Sequence, residues 1–139
     1  METVKLTYEI DGENFNAAGD ASTAVKRVLK KLRLPPQVVR RAVVCMYEGE
    51  INMVIHAGGG QIDVDFAPDA VRMVLKDQGP GIQDISLAMQ AGWSTAPDDV
   101  RSLGFGAGMG LPNMKKYTDT MEIDTRIGVG TKITMVVMI

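Results

Sequence analysis

Two hydrophobic periods divide the chain. The stretches "TVKLTYEI" (3–10), "QIDVDFA" (61–67), "AVRMVLKDQ" (70–78), "TMEIDTRI" (120–127) and "TKITMVVMI" (131–139) alternate apolar and polar positions. A two-residue period sends neighbouring side chains to opposite faces, so each stretch reads as a strand buried on one side. Between Phe15 and Leu32 the period changes. Phe15, Ala18, Ser22, Val25, Leu29 and Leu32 recur at helical spacing, with Lys26, Arg27, Lys30 and Lys31 between them. The "LPPQ" stretch ends that helix, because a residue before proline is pushed out of the helical region. Pro36 opens a second helix reaching to about Ala57, where the glycines at 58–60 stop it. "DISLAMQAG" (84–92) predicts a short helix and "LPNMKKYTD" (111–119) another, opened by Gly110 and Pro112. "PDA" joins the two middle strands and "GVG" (128–130) turns the last two into a closing hairpin.

Strands grouped with helices, without strict alternation, predict an α+β two-layer sandwich: one mixed, mainly antiparallel sheet with helices on one face. At 139 residues the chain is expected to be a single domain, 1–139. The polar stretch "GWSTAPDDVRSLGFGAGMG" (92–110) is long for a connection and reads as a mobile lid, placed at about 84–110 with the short helix before it.

Composition narrows the function classes. The 45% hydrophobic and 23% charged fractions are those of a globular protein. Fifteen basic and seventeen acidic side chains leave a net charge of -2, so no global field recruits nucleic acid or anionic lipid. The single Cys45 excludes an internal disulfide and suits a reducing compartment. No apolar run approaches the roughly 20 residues that cross a bilayer. The acidic start lacks the basic head and apolar stretch of a secretory signal. A cytoplasmic protein without nucleic-acid or membrane partners is expected.

The second helix carries "YEGEINMVIHA". Glu48 and Asn52 lie about 40° apart on one face, one turn apart, whereas Glu50 is about 160° from Asn52 and points elsewhere. Val38, Ala42, Cys45, Met46, Gly49 and Met53 form the apolar stripe, with Glu48 and Asn52 on its flank. A carboxylate and an amide there are either a base beside a metal-binding oxygen or two partly exposed polar side chains. In "VLKDQGPGI" (74–82) a strand ends in Asp77, followed by Gly79 and Gly81. A carboxylate at a strand end is a natural acceptor for a purine's exocyclic amine, and glycines let a flat ring approach the main chain. The same letters also make an ordinary turn.

"GFGAGMGL" alternates Gly104, Gly106, Gly108 and Gly110 before a helix, so successive backbone amides form a phosphate cradle or a flexible hinge. The dinucleotide fingerprint fails because its third glycine falls on Met109 or Leu111, and the P-loop fails for want of Gly-Lys-Ser/Thr. "GVGT" (128–131) is by itself a common hairpin turn. His56, the single histidine, has no Cys or His partner for a metal site. It also lacks a nucleophilic serine, since "GWSTA" ends in Ala96 where a Gly-x-Ser-x-Gly elbow needs glycine. Cys45 and the methionines read as core, and "VKRVLKKLR" as a solvated helix face.

Taken in order, Glu-x-x-x-Asn on a helix, Asp-x-Gly-x-Gly after a strand, alternating glycines before a helix and Gly-x-Gly-Thr in the last hairpin resemble the GHKL ATPases. That superfamily includes gyrase, a heat-shock chaperone, mismatch-repair ATPases and histidine kinases. "N-x-x-I-H-A" at 52–57, "DQGPGI", "STAP" (94–97) and "GMGLPNMKKYTD" are similar to the small serine/threonine kinases of anti-sigma-factor switches. The likeness runs from the first helix onward and implies a Bergerat-type ATP-binding fold using ATP and Mg2+. It implies that Asn52 binds the magnesium and that Glu48 is the general base. It further implies that Asp77 accepts from the adenine amine, with Gly79 and Gly81 lining the pocket and Thr131 reaching the adenine side. Gly106, Gly108 and Gly110, with Leu111, would wrap the phosphates, and Arg101 would touch them. The expected activity is phosphorylation of a small STAS-type antagonist that controls a partner such as a sigma factor. The alternative is an ATP-binding module that holds its partner by lid closure with little transfer. Relatives often dimerise.

Overall fold

The computed structural model describes residues 4–12, 18–82, 89 and 110–139. Strands β1 (Val4–Asp11), β2 (Gly59–Phe66), β3 (Ala70–Lys76), β4 (Thr120–Arg126) and β5 (Gly130–Met138) form a five-stranded sheet in the order β1-β2-β3-β5-β4. Each of its four pairings is antiparallel. Helices α1 (Asp20–Lys31), α2 (Pro36–His56) and α3 (Gly110–Tyr117) complete the described residues. The long α2 packs on β1, β2, β3 and β5, with α1 and α3 flanking it.

Alternation along the strands explains the layering. Ile62, Leu75 and Ile133 lie side by side across β2, β3 and β5, followed by the rows Val64, Met73, Met135 and Phe66, Val71, Val137. All nine are buried. The opposite face carries Asp63, Asp65, Arg72, Lys76 and Lys132, with Lys76 paired to Asp63 at 3.6 Å. On α2 the expected stripe, Val38, Ala42, Cys45, Met46, Gly49 and Met53, is buried throughout. Burial of these side chains supplies most of the driving force, at about 25 cal/mol per Å² of apolar surface.

Helix ends follow local chemistry. Arg33 takes the left-handed conformation (φ 58°) just past α1, and its N–H bonds to the Lys30 carbonyl at 3.0 Å. This reversal stops the helix before Pro35 and Pro36 are reached. Pro36 sits in the first turn of α2, where a missing N–H costs nothing. The start of α1 differs from expectation. Ala18 and Gly19 form a turn, and the helix begins at Asp20 rather than near Phe15, whose own position lies outside the described residues. The predicted helix at 84–92 lies outside them too, apart from Met89, which packs against the core.

Candidate functional site

Helix α2 is the platform, because its flank carries Glu48 and Asn52 at the border of the core. Both are half-buried. Helix α3 runs antiparallel beside that flank and meets it at regular steps. Gly110 abuts Asn52 so closely that a Cβ there would fall 2.7 Å from Asn52 Nδ2. One turn on, Asn113 Nδ2 donates to Glu48 Oε1 at 3.2 Å. The Cys45 thiol reaches the Met114 carbonyl at 3.8 Å, and Arg41 Nε donates to the Tyr117 carbonyl at 3.0 Å. Arg41 Nη2 also pairs with Asp119 at 3.1 Å. Among the described residues, the Asn52 side chain and Glu48 Oε2 accept no hydrogen bond. A half-buried amide left open beside a glycine suits a hard cation that keeps most of its own waters and takes few protein ligands. Among the described residues no group of three or more His, Cys, Asp or Glu forms a metal cage.

Asp77 follows β3 and is held by the last hairpin. Its N–H donates to the Thr131 carbonyl at 3.0 Å, while its Oδ1 accepts from the N–H groups of Gly79 at 3.0 Å and Thr131 at 3.1 Å. Two donors on one oxygen fix the carboxylate plane and leave Oδ2 without a hydrogen bond among the described residues. Thr131 is buried, and its hydroxyl lies 2.9 Å from that of Thr125, which accepts from the Ile82 N–H at 2.8 Å. One network therefore ties the "DQGPGI" loop to the β4–β5 hairpin.

The glycines of that loop meet neighbouring backbone closely. A Cβ on Gly79 would lie 2.7 Å from Ala57 Cα, at the end of α2. At Gly81 (φ 84°), it would lie 2.6 Å from the Arg126 carbonyl. Protein backbone fills both spaces, so these glycines let α2 and the hairpin clamp the loop that carries Asp77. Leu111 is a core side chain, only 7% exposed. Arg101, Gly106 and Gly108 lie outside the described residues.

Sequence reasoning passed over Glu50. It does point away from Asn52, but into the protein, where it is 2% exposed. Its Oε2 accepts from the N–H groups of Gly19 (2.8 Å) and Ala21 (3.3 Å). Its Oε1 accepts from the Ser22 N–H (3.0 Å) and hydroxyl (2.7 Å). Gly19 offers no side-chain cap, so a glutamate from the neighbouring helix satisfies the open amides that start α1. A signal was present. Glu50 lies four residues from Met46 and three from Met53, inside the apolar stripe, as Ser22 lies in that of α1. A polar group in each of two facing stripes means that the two meet.

Burial pushes the Cys45 thiol up to about 12, which excludes thiolate chemistry there. Burial also lowers His56 below its usual 6.5. Between α1 and α2 an open groove of about 470 Å³ is lined by Gly19, Thr23, Lys26, Val44, Tyr47 and Glu48. Glu48 thus stands between α3 on one side and this groove on the other.

Known proteins resemble this chain. A family profile described as a histidine kinase-like ATPase domain matches residues 14–137. The serine/threonine-protein kinase RsbT of Bacillus subtilis is 31% identical over 112 residues, which are 78% of each chain. An anti-sigma F factor of Clostridium beijerinckii is 28% identical over 139 residues, 96% of this chain and 93% of that one. The mycobacterial sensor histidine kinase MprB shares the fold at a TM-score of 0.52 and 20% identity, with 97% of each chain covered. The chain belongs to the histidine kinase-like ATPase family, on its branch of small serine/threonine kinases and anti-sigma factors.

Proposed function

We propose that the chain is a magnesium- and ATP-dependent serine/threonine protein kinase of the anti-sigma type, acting on a small STAS-like antagonist in the cytoplasm to control a partner such as a sigma factor. One observation carries the reading. Glu48 and Asn52 stand one turn apart on α2, each with an acceptor atom open among the described residues, against the helix that follows the glycine loop. Asp77 supplies the base-reading end, with Oδ2 free to accept from the adenine amine. Thr131 supports it through its N–H, and Gly79 and Gly81 supply the backbone on which it is mounted.

The chemistry follows from placement. Phosphoryl transfer asks for alignment and charge neutralisation, with little covalent work by the protein. Asn52 would hold the magnesium, which supplies neutralisation of the phosphate oxygens when bound. Gly110, at the amino end of α3, and the expected partners Gly106 and Gly108 offer amides to the phosphates, with Leu111 adding its backbone and Arg101 a guanidinium. The acceptor hydroxyl enters from the α1–α2 groove onto Glu48, where Lys26 and Tyr47 meet its carrier. Its oxygen bonds to the γ-phosphorus as the bond to the β–γ bridging oxygen breaks. ADP leaves with that electron pair, and the hydroxyl proton passes to Glu48 Oε2. The lid expected at about 84–110 lies, apart from Met89 and Gly110, outside the described residues. A second copy of the chain is a further partner that the resemblance implies.

Two variants test this. Glu48→Gln is expected to keep nucleotide binding and lose transfer by at least about 100-fold, as for removal of a general base. Asp77→Asn is expected to abolish the heat of ATP binding in calorimetry. Unchanged partner regulation by Glu48→Gln would instead favour the ATP-dependent binding module. Undiminished nucleotide uptake by Asp77→Asn would sink the site.

A further inference from the structure

A glutamate that removes a proton must aim one oxygen at the incoming hydroxyl, and its side chain has three rotatable bonds. On the flank of α2 nothing in its own helix fixes them. The contact that does comes from α3: Asn113 Nδ2 to Glu48 Oε1, 3.2 Å. We propose that Asn113 is a positioning residue for phosphoryl transfer, holding one carboxylate oxygen of Glu48 so that the other faces the groove from which the acceptor arrives. The inference rests on Glu48 being the base.

Three features support it. First, the bond occupies one oxygen and leaves the second open, the division of labour that an aimed base requires. Second, the donor is a neutral amide. A lysine or arginine there would grip harder, but its full charge would draw proton affinity out of the carboxylate. An amide orients it through one directional bond without adding a charge. Third, Asn113 lies three residues after Gly110, which rests on Asn52. The two contacts are one helical turn apart on α3, as Glu48 and Asn52 are on α2. A short helix moves as a unit, so the seating of Gly110 on the Asn52 side and the aim of Glu48 are set together. The Cys45–Met114 and Arg41–Tyr117 contacts continue the same antiparallel docking and fix its register. Asn113 therefore joins the phosphate end of the site to its base.

The test uses the full chain, with γ-labelled ATP and water as phosphoryl acceptor, and a fluorescent ATP analogue for binding. Asn113→Ala is expected to lower kcat about tenfold, with KM for ATP and analogue affinity within about twofold of the parent. Glu48→Asp, whose shorter side chain cannot reach Asn113, is the partner background. There Asn113→Ala is expected to cost less than about twofold, because the contact is already gone. In the amide spectrum, the Asn113 side-chain protons are expected to move on Glu48→Ala. An unchanged kcat, an equal loss in both backgrounds, a loss confined to ATP affinity, or a loss that tracks a lower Tm would each overturn the proposal. A parent protein that neither binds the analogue nor turns over ATP would remove the kinase reading itself. An active parent with an indifferent Asn113→Ala removes this inference alone.

Discussion

Helix α2 makes two junctions, and they are built on opposite principles. Toward α1 a groove opens beside Glu48, but the joint at Glu50 is sealed: its carboxylate is 2% exposed and accepts four hydrogen bonds from Gly19, Ala21 and Ser22. Every hydrogen bond that this carboxylate accepts is internal, so a partner in the groove has nothing to compete for at Glu50. Toward α3 the same helix is half-open. Glu48 has one bond and one spare oxygen, Asn52 has no bond among the described residues, and Arg41 and Asp119 sit 30% and 38% exposed. Two carboxylates two residues apart are thereby given separate tasks. Saturated hydrogen bonding makes a joint, and unsaturated hydrogen bonding makes a site.

The contrast can be broken at either junction. Glu50→Ala is expected to cost about 3 kcal/mol in urea unfolding, since it strands buried amides at the start of α1. Glu48→Ala is expected to stay within about 1 kcal/mol. Equal losses would erase the distinction. A smaller effect belongs to Gly110→Ala. Its Cβ would meet Asn52 Nδ2 at 2.7 Å, so ATP affinity is expected to fall about tenfold, or about 1.4 kcal/mol, by calorimetry, with little change in Tm. Arg41→Ala removes the bond to the Tyr117 carbonyl and a partly exposed ion pair, for an expected 1 kcal/mol or so of stability.

The smallest effect concerns His56. Burial lowers its folded pKa below the ordinary 6.5, so the fold prefers the neutral ring. In the unfolded chain the ring takes up its proton first as pH falls. Stability is therefore full above about 6.5 and declines as the pH drops below it. His56→Gln is expected to flatten that decline in urea unfolding between pH 7 and 5.5, and a proton-resonance titration of His56 to give a midpoint under 6.5.

Much of this was legible in the chain. The strand alternation placed Ile62, Val64 and Phe66 on the inner face, and the helical stripe from Val38 to Met53 is buried as expected. Glu48 and Asn52 could be placed on one flank because four-residue spacing is a property of the helix itself. Asp77 was found because a strand end and two glycines are local events. What escaped was the meeting of distant parts. Glu50 reads as a surface acid until Ser22 is seen against it. That Ala57 and Arg126 press against Gly79 and Gly81 could not be read from the loop's own letters. Asn113 reads as one polar residue of a short helix until its amide is seen on Glu48.

The division has a physical basis. Period and dihedral preference act over a few residues, so the order of elements, their buried faces and the spacing of Glu48 from Asn52 were set by the sequence alone. Hydrogen-bond partners and close approaches depend on which surfaces pack together across 28 to 65 residues of chain, as Ser22 with Glu50 and Glu48 with Asn113 do. Only the tertiary structure decided which glutamate on α2 is a joint and which keeps an oxygen open among the described residues.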